Sequence, residues 1–305
     1  MTDFATRPAA DSEIEDWLAG WRTRWEAEFA RTGMAPNTDR RVQRHTGSPD
    51  ATVQRLLYAG EPAGFLALST VSDYGASTAV LDDVFVEEPL RRRGIATAAV
   101  RFAEDWARTR ASRIRTRIDG VTPAQLALVR DWTFGGQSMV KELTPSGLEL
   151  PAGLSVRPLS EDEYPAWRAR LVTEYGQSFV DTGLLDPEQA GVRAEEQTAS
   201  ILPDGLATEG HEFACLLDHG TRVADIWLRH GYEPGVSFVF DVEVNADQRG
   251  KGRGKAIMIA GEAAALMAGS TRLALHVFGH NTVARRLYER LGYEIIDQGW
   301  SLTLS

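Results

Sequence analysis

Alternating apolar and polar positions mark one β-hairpin in each half of the chain. The first covers Val53 to Tyr58 and Phe65 to Val71, and the second covers Glu212 to Leu217 and Val223 to Arg229. Period-two alternation on either side of a glycine-containing turn is typical of paired strands. A further strand, a glycine-containing loop and an alanine-rich run then follow in both halves. The run predicts a helix over Thr97 to Thr109 and over Lys255 to Met267.

The order of these elements predicts the fold class. In each half a strand leads into helices and the hairpin, and a strand, loop, helix, strand, helix and final strand follow. This order is typical of an α/β protein whose sheet is mixed, with both parallel and antiparallel strands, as in α+β folds.

Two sequence matches indicate that the halves are an internal repeat. Arg7-Pro8 is followed ten positions later by Trp17, and Arg157-Pro158 is followed ten positions later by Trp167. The stretches between them are acidic and predict helix starts. Downstream, Asp83 precedes Arg91 by the same interval of eight residues that separates Asp241 from Arg249.

The repeat predicts two tandem domains, 1-146 and 154-305. The stretch between them is rich in residues that break helices and strands, as a linker is. These residues are Pro145, Gly147, Pro151 and Gly153.

Composition restricts the class of function. The 305 residues carry a net charge of −10, with a pI near 5.2, which argues against general nucleic-acid binding because such binding needs a basic face. The single cysteine, Cys215, lies in an apolar run and is expected to be buried. The sequence contains no apolar run of membrane-spanning length, so we expect a cytoplasmic protein without membrane partners, either a monomer or a homodimer.

The loop from Gln248 to Lys255 predicts a phosphate-binding site. Its glycines permit positive φ angles, so that successive backbone N–H groups can point into one concavity. The helix that follows adds its unpaired N–H groups and the positive end of its dipole. A Walker loop and a dinucleotide-binding fingerprint both need a different glycine spacing.

Two segments of the C-terminal half carry a family resemblance. Arg249-Gly250-Lys251-Gly252-Arg253-Gly254 resembles the [Q/R]-x-x-G-x-[G/A] signature of the GNAT acetyltransferases. The segment Leu275 to Tyr293 resembles the later strand-loop-helix motif of the same family, and Arg91 to Ala96 repeats the signature in the N-terminal half. The resemblance implies two GNAT-like acyl-CoA N-acyltransferase domains that use acetyl-CoA, in a layout similar to that of double-GNAT proteins.

The resemblance also implies roles for individual residues. Val242 and Val244 would offer main-chain groups to the acetyl and pantetheine parts of the cofactor, and Asn281 would touch the pantetheine arm. Tyr288 would be the general acid that protonates the departing thiolate, although its helical spacing with Leu287 and Leu291 also suits a core residue. The pyrophosphate would be cradled by Arg249, Gly250, Lys251, Gly252, Arg253, Gly254 and Lys255.

Asp241 and Glu243 are the candidates for a general base. Strand alternation places both on one face, opposite Val242 and Val244. A carboxylate in a partly apolar cleft can gain the raised pKa that a base near pH 7 needs. Asp83 matches Asp241 in the repeat, whereas Phe85 matches Glu243. This favours an architectural role for the aspartate and a specific one for Glu243, and local hydrogen bonding or substrate binding remains open for both.

The N-terminal half is predicted to be catalytically impaired. By position its cofactor-binding residues would be Val84, Val86, Arg91, Arg92, Gly94, Ile95 and Ala96. This half does not retain the residues of the later strand-loop-helix motif, because Thr122 stands at the position of Asn281 and Val129 at the position of Tyr288.

The leading hypothesis is therefore an N-acetyltransferase. It would move acetyl from acetyl-CoA to a primary amine of a small molecule or peptide by direct attack in a ternary complex. The alternatives are a non-catalytic module that binds acyl-CoA in regulation, and transfer to oxygen or of a longer acyl chain. No metal site is expected.

Overall fold

A computed structural model describes residues 3–34, 38–73, 76–181 and 185–304 of the chain. They form two compact units. Unit 1 runs to Gln137 and also contains Phe278–His280 and the C-terminal residues from Ile295, whereas unit 2 contains Ser138–Val277 and Asn281–Glu294. The sequence-based limits 1-146 and 154-305 follow chain order and stay a prediction.

Unit 1 is a mixed sheet with helices on both faces. Its strands lie in the order β1-β2-β3-β4-β5-β12, in which only β4 and β5 pair in parallel. Its elements are β1 (Phe4–Pro8), α1 (Asp11–Thr32), α2 (Thr38–Thr46), β2 (Thr52–Tyr58), β3 (Glu61–Asp73), β4 (Ala76–Val86), α3 (Ile95–Arg108), β5 (Arg113–Asp119), α4 (Pro123–Leu128) and, from the end of the chain, β12 (Glu294–Thr303).

Unit 2 repeats this architecture. Its strands lie in the order β7-β8-β9-β10-β11, with β10 and β11 parallel, and β6 beside β11 contributes its residues from Ser138 onward. Its elements are β6 (Thr133–Glu142), β7 (Leu154–Pro158), α5 (Tyr164–Asp181), α6 (Pro187–Ile201), β8 (His211–Asp218), β9 (Thr221–Glu233), β10 (Val236–Val244), α7 (Arg253–Met267), β11 (Arg272–Phe278) and α8 (Thr282–Arg290).

These elements confirm the predicted α/β fold class with a mixed sheet, and both predicted hairpins. The helices α3 and α7 begin two residues before their predicted starts. Among the described residues, no helix is long and apolar enough to cross a bilayer.

The repeated Arg-Pro motif fastens the first strand of each unit to the next helix. Arg7 and Glu13 form two hydrogen bonds of 2.7 Å, and Arg157 and Glu163 form two of 2.7 and 2.8 Å. The same glutamates accept a backbone N–H at the helix start, from Ala10 and from Ser160 respectively. This capping by the glutamate side chain explains why an acidic residue follows the arginine at the same distance in both halves.

The core of each unit lies on both faces of its sheet. In unit 1 the tryptophans Trp17, Trp21 and Trp25 recur every fourth residue of α1 and are almost fully buried, because that spacing places them on one helix face. Trp17 and Trp21 pack on the sheet face opposite α3. In unit 2, Cys215 is fully buried, as predicted, beside Trp167 and Trp227.

Candidate active site

Each unit has two parallel strands that separate partway along their length. The pairing of β10 with β11 runs from Val236 to Val239, and that of β4 with β5 runs from Thr78 to Leu81. Beyond these points the strands are not paired to each other in the described residues. A V-shaped gap therefore opens in each sheet, with unpaired backbone groups along its edges.

A β-bulge lies at the start of each gap. The pairing of β9 with β10 skips Phe240, and that of β3 with β4 skips Asp82. A bulge bends its strand and re-aims the side chains that follow it. The next residues are Asp241 in unit 2 and Asp83 in unit 1, so the repeat extends to this irregularity.

The glycine-containing loop follows directly after the strand that carries the bulge. Gly250 and Gly252 have φ angles of 76° and 78°, and Gly252 is the N-cap of α7. A Cβ atom added to either glycine would meet no atom within 4 Å. The loop therefore faces open space and directs the free N–H groups of a helix start towards it, which is the arrangement that suits a pyrophosphate.

The basic side chains of this loop are mostly bound to the protein itself. The Nε of Arg249 donates to the carbonyl of Val244 over 3.1 Å, and Arg253 forms an ion pair with Asp218. Lys251 lies 3.3 Å from the side chain of Gln248, whereas Lys255 is exposed. The backbone N–H groups thus provide the hydrogen-bond donors that point at the ligand, and the basic side chains provide positive charge around the loop.

Gly254 has a different role, because a Cβ there would lie 3.1 Å from the side chain of Leu287. The loop and α8 are therefore in close contact, which fixes α8 beside the gap. Asn281 is the N-cap of α8, and its Oδ1 accepts the backbone N–H of Ala284 over 3.0 Å.

Tyr288 of α8 is buried, with 8% of its surface exposed. Its hydroxyl makes no hydrogen bond to another described residue. Burial raises its pKa to about 12, and the charge of Asp241 adds to that rise. The phenol therefore stays protonated at neutral pH, within the electrostatic reach of the strand that carries the candidate bases.

The two candidate bases differ in their partners. Asp241 accepts from Nη2 of Arg170 over 2.7 Å, and burial raises its pKa while Arg170 opposes the rise. Glu243 pairs over 2.7 Å with Arg249, whose side chain is 63% exposed. Asp241 is thus held by a half-buried arginine, whereas Glu243 is held by one that lies in solvent.

Two further site residues, Arg170 and Glu174 of α5, were missed by the sequence analysis. Arg170 bridges Asp241 and Glu174, with 2.7 Å to each carboxylate. Burial raises the pKa of Glu174, and the charges of Asp241 and Glu243 contribute. The sequence signal for these two residues was their spacing of four, because two residues at that spacing lie on the same face of a helix.

In unit 1 the gap opens into a cavity of about 920 Å³. Asp83, Val84 and Val86 of β4 line it, together with the residues of α4. The lining also includes the loop residues Arg91, Arg92, Gly94, Ile95 and Ala96. The cavity therefore contains every N-terminal residue that was predicted to bind the cofactor.

The later motif of unit 1 aligns with that of unit 2 as predicted. Thr122 is the N-cap of α4, as Asn281 is of α8. Val129 directly follows α4 and is 2% exposed. It provides no proton donor in the place that corresponds to Tyr288.

Comparison with known proteins agrees with this geometry. The model of the acetyltransferase (GNAT) family matches residues 11–132 and 171–293, one match in each half of the chain. The chain belongs to the GNAT acetyltransferase family. Members of this family use acetyl-CoA as the acetyl donor, so the chain is an acyltransferase with two GNAT domains.

Individual relatives match one half or the whole chain. The uncharacterized N-acetyltransferase YycN of Bacillus subtilis is 30% identical over 147 residues, which cover 47% of this chain and 94% of YycN. The mycothiol acetyltransferase of Gordonia bronchialis is 26% identical over 301 residues, covering 96% and 93% of the two chains. A GCN5-related N-acetyltransferase structure from Sphaerobacter thermophilus has a TM-score of 0.55 at 18% identity, covering 98% and 94%, which is a likeness of fold.

The site residues fit acetyl-CoA as a co-substrate. The open space above Gly250 and Gly252 would be filled by any side chain, and the amides beside it suit a diphosphate. Among the described residues, no group of three or more His, Cys, Asp or Glu side chains is placed to hold a metal ion.

Proposed function

We propose that unit 2 transfers the acetyl group of acetyl-CoA to a primary amine of a small molecule or peptide, with both substrates bound together. One observation carries this proposal. Gly254 of the amide-lined loop lies against Leu287 of α8 and Val244 of the open strand β10, which supports a single site that includes the neighbouring Tyr288.

Acetyl-CoA supplies an acetyl thioester, whose carbon–sulfur bond breaks as the acceptor nitrogen takes the acetyl group. The loop from Arg249 to Lys255 holds the pyrophosphate, and the unpaired edge of β10 at Val242 and Val244 receives the pantetheine arm. Asn281 keeps its side-chain N–H₂ available beside that arm, since its oxygen caps α8.

The acceptor must lose a proton before it can attack. An alkylamine with a pKa near 10.4 is neutral in only about one molecule in a few thousand at pH 7. Both carboxylates are ion-paired, and Glu243 is the better candidate for the base because its partner Arg249 lies largely in solvent, whereas Asp241 is held by the half-buried Arg170. Tyr288 remains protonated and donates its proton to the sulfur that departs.

We propose a different role for unit 1, namely to bind acetyl-CoA without turnover. Its loop and its 920 Å³ cavity support binding. Val129 at the position of Tyr288 removes the acid that would protonate the thiolate. In this unit the cleft would hold the cofactor as a ligand.

Steady-state release of free thiol from acetyl-CoA, measured with a panel of amines, tests the function of unit 2. Tyr288→Phe should lower kcat by about 10²–10⁴-fold, the range typical of a lost general acid, and leave the acetyl-CoA affinity unchanged. Tyr293→Phe is the matched control, because that tyrosine is also buried and its ring lies 5.8 Å from Tyr288. Equal rates for Tyr288→Phe and the wild type would contradict the proposed acid.

A further inference from the structure

Three positions around the bulged strand correspond in the two units, and two of them differ in charge. Arg24 and Glu174 each lie seven residues after the tryptophan that the repeat shares, Trp17 and Trp167. The strand positions are Asp83 and Phe85 in unit 1, and Asp241 and Glu243 in unit 2. The trio therefore has no net formal charge in unit 1 and three negative charges in unit 2.

In unit 1 the chain itself supplies the cation at this place. The Nη2 of Arg24 lies 2.5 Å from Asp83, and its guanidinium carbon lies 4.3 Å from the centroid of the Phe85 ring. Trp17 donates its indole N–H to the same carboxylate over 2.9 Å. One oxygen of Asp83 thus accepts two hydrogen bonds from the chain itself, and the wall beside it is a cation stacked on an aromatic ring.

In unit 2 the carboxylates outnumber the cations. Glu174, Asp241 and Glu243 face Arg170 and Arg249, and the side chain of Arg249 is largely in solvent. Arg170 satisfies Asp241, as Arg24 satisfies Asp83. Glu174 and Glu243 are the additional charges, and the half-exposed side chain of Glu174 is accessible to a ligand.

A second observation shows that these carboxylates surround a ligand site. Tyr288 is more than nine-tenths buried, and its hydroxyl makes no hydrogen bond to another described residue. Its oxygen is not enclosed, in contrast to the hydroxyl of Tyr293, so a ligand or water can pair with it. Tyr288 also lies beside the strand that carries the carboxylates, because a Cβ at Gly254 would lie 3.1 Å from Leu287 of α8 and 3.9 Å from Val244 of β10.

The reaction itself uses at most one of these carboxylates. The amine that attacks must be neutral, so a base takes its proton and a permanent counter-charge at the reacting nitrogen would oppose attack. A carboxylate that stays ionised beside the base therefore suits a different, permanently charged group of the acceptor.

On the basis of the acetyl transfer proposed for unit 2, we propose that its acceptor carries a second cationic group besides the amine that reacts, and that Glu174 binds this group. The acceptor is then a diamine or another amine with a fixed positive charge. Unit 1 does not take such an acceptor, because Arg24 places a cation of its own at the corresponding position.

The full-length protein and three acceptors of equal chain length test this proposal. Butane-1,4-diamine is cationic at its second end, 4-aminobutan-1-ol is neutral and 4-aminobutanoate is anionic. We expect kcat/KM to be at least about 30-fold higher for the diamine than for the amino alcohol, and lowest for the amino acid. The preference should decrease as salt concentration rises, since exposed charges are screened.

Glu174→Gln separates recognition from folding. It should lower kcat/KM for the diamine at least about 10-fold and change that of the amino alcohol less than about twofold, with unchanged acetyl-CoA affinity. Glu209→Gln makes the same change at an exposed residue outside the cluster and should change neither.

Each outcome decides a separate question. Turnover of all three amines at similar kcat/KM, or an equal effect of Glu174→Gln on all three, would overturn the cationic acceptor and leave the acetyltransferase proposal standing. Acetyl-CoA binding without transfer to these three amines or to any other amine of the panel would overturn the proposed function and, with it, this inference.

Discussion

Arg92 of unit 1 occupies the left-handed backbone position that Gly250 occupies in unit 2, with φ angles of 67° and 76°. The next left-handed position of each loop is a glycine, Gly94 or Gly252, at 80° and 78°. The two loops therefore have the same path, although only unit 2 has glycine at both positions. A non-glycine residue in this region is strained by about 1–2 kcal/mol.

Arg92→Gly should stabilise unit 1. The substitution removes the steric strain and adds some freedom to the unfolded chain, so the net gain in the free energy of unfolding should be about 0.5–1 kcal/mol. Urea unfolding measures it. Arg93→Gly, at an exposed neighbour that is not left-handed, should lower stability instead. The strain argument fails if Arg92→Gly is no more stable than Arg93→Gly.

Gly252→Ala should weaken acetyl-CoA binding in unit 2. The new Cβ would project into the open space above the loop, and the φ of 78° strains any side chain. We expect at least a tenfold loss of affinity, or about 1.4 kcal/mol, by calorimetry. Gly269→Ala is the control, because Gly269 has a φ of 82° and equally open surroundings after the end of α7. A similar loss in both variants would indicate a general backbone effect.

Binding stoichiometry tests the role of unit 1. If both loops hold the cofactor, calorimetry should give two acetyl-CoA molecules per chain. Gly94→Ala should weaken one of the two binding events and leave turnover in place, whereas Gly252→Ala should weaken the other and lower turnover at subsaturating acetyl-CoA. One site per chain that persists in Gly94→Ala would show that unit 1 does not bind acetyl-CoA.

Cys215 should make the protein sensitive to alkali. Burial raises its pKa to about 12, whereas the thiol of an unfolded chain ionises near pH 9. As the pH rises, the thiol therefore ionises in the unfolded state before it ionises in the folded state. The contribution of Cys215 to the free energy of unfolding should then fall between pH 9 and 12 by about 1.4 kcal/mol per pH unit. Cys215→Ala should flatten this part of the profile, measured by urea unfolding. Parallel profiles for the two proteins would contradict the assignment.

Local sequence rules predicted the parts of the site that depend on backbone geometry. The glycine spacing after Arg249 predicted the positive φ angles and the helix start, because each of these needs a small residue or a free N–H at a fixed position; the close contact of Gly254 with α8 was seen only in the structure. The decay of the later motif at Val129 was predicted in the same way, since the helix starts at Thr122 and Asn281 fix the alignment.

The electrostatic parts of the site required the fold. Nothing near Arg170 in the sequence indicates that its guanidinium reaches Asp241, which lies 71 positions later. An arginine and a glutamate four residues apart are usual on any exposed helix. The bulges at Asp82 and Phe240 were also invisible, because a bulge depends on the register with a partner strand.

The strand β12 follows unit 2 in the sequence but pairs with β5 of unit 1, from Asp297 with Asp119 to Thr303 with Arg113. Trp300 and Leu302 pack there against the core beneath α3. During synthesis, the first-made domain therefore has an open sheet edge at β5 until β12 has been synthesised. A chain that stalls or is truncated before β12 would leave the ribosome with unit 1 incomplete. In the usual vectorial order, by contrast, the N-terminal domain folds first.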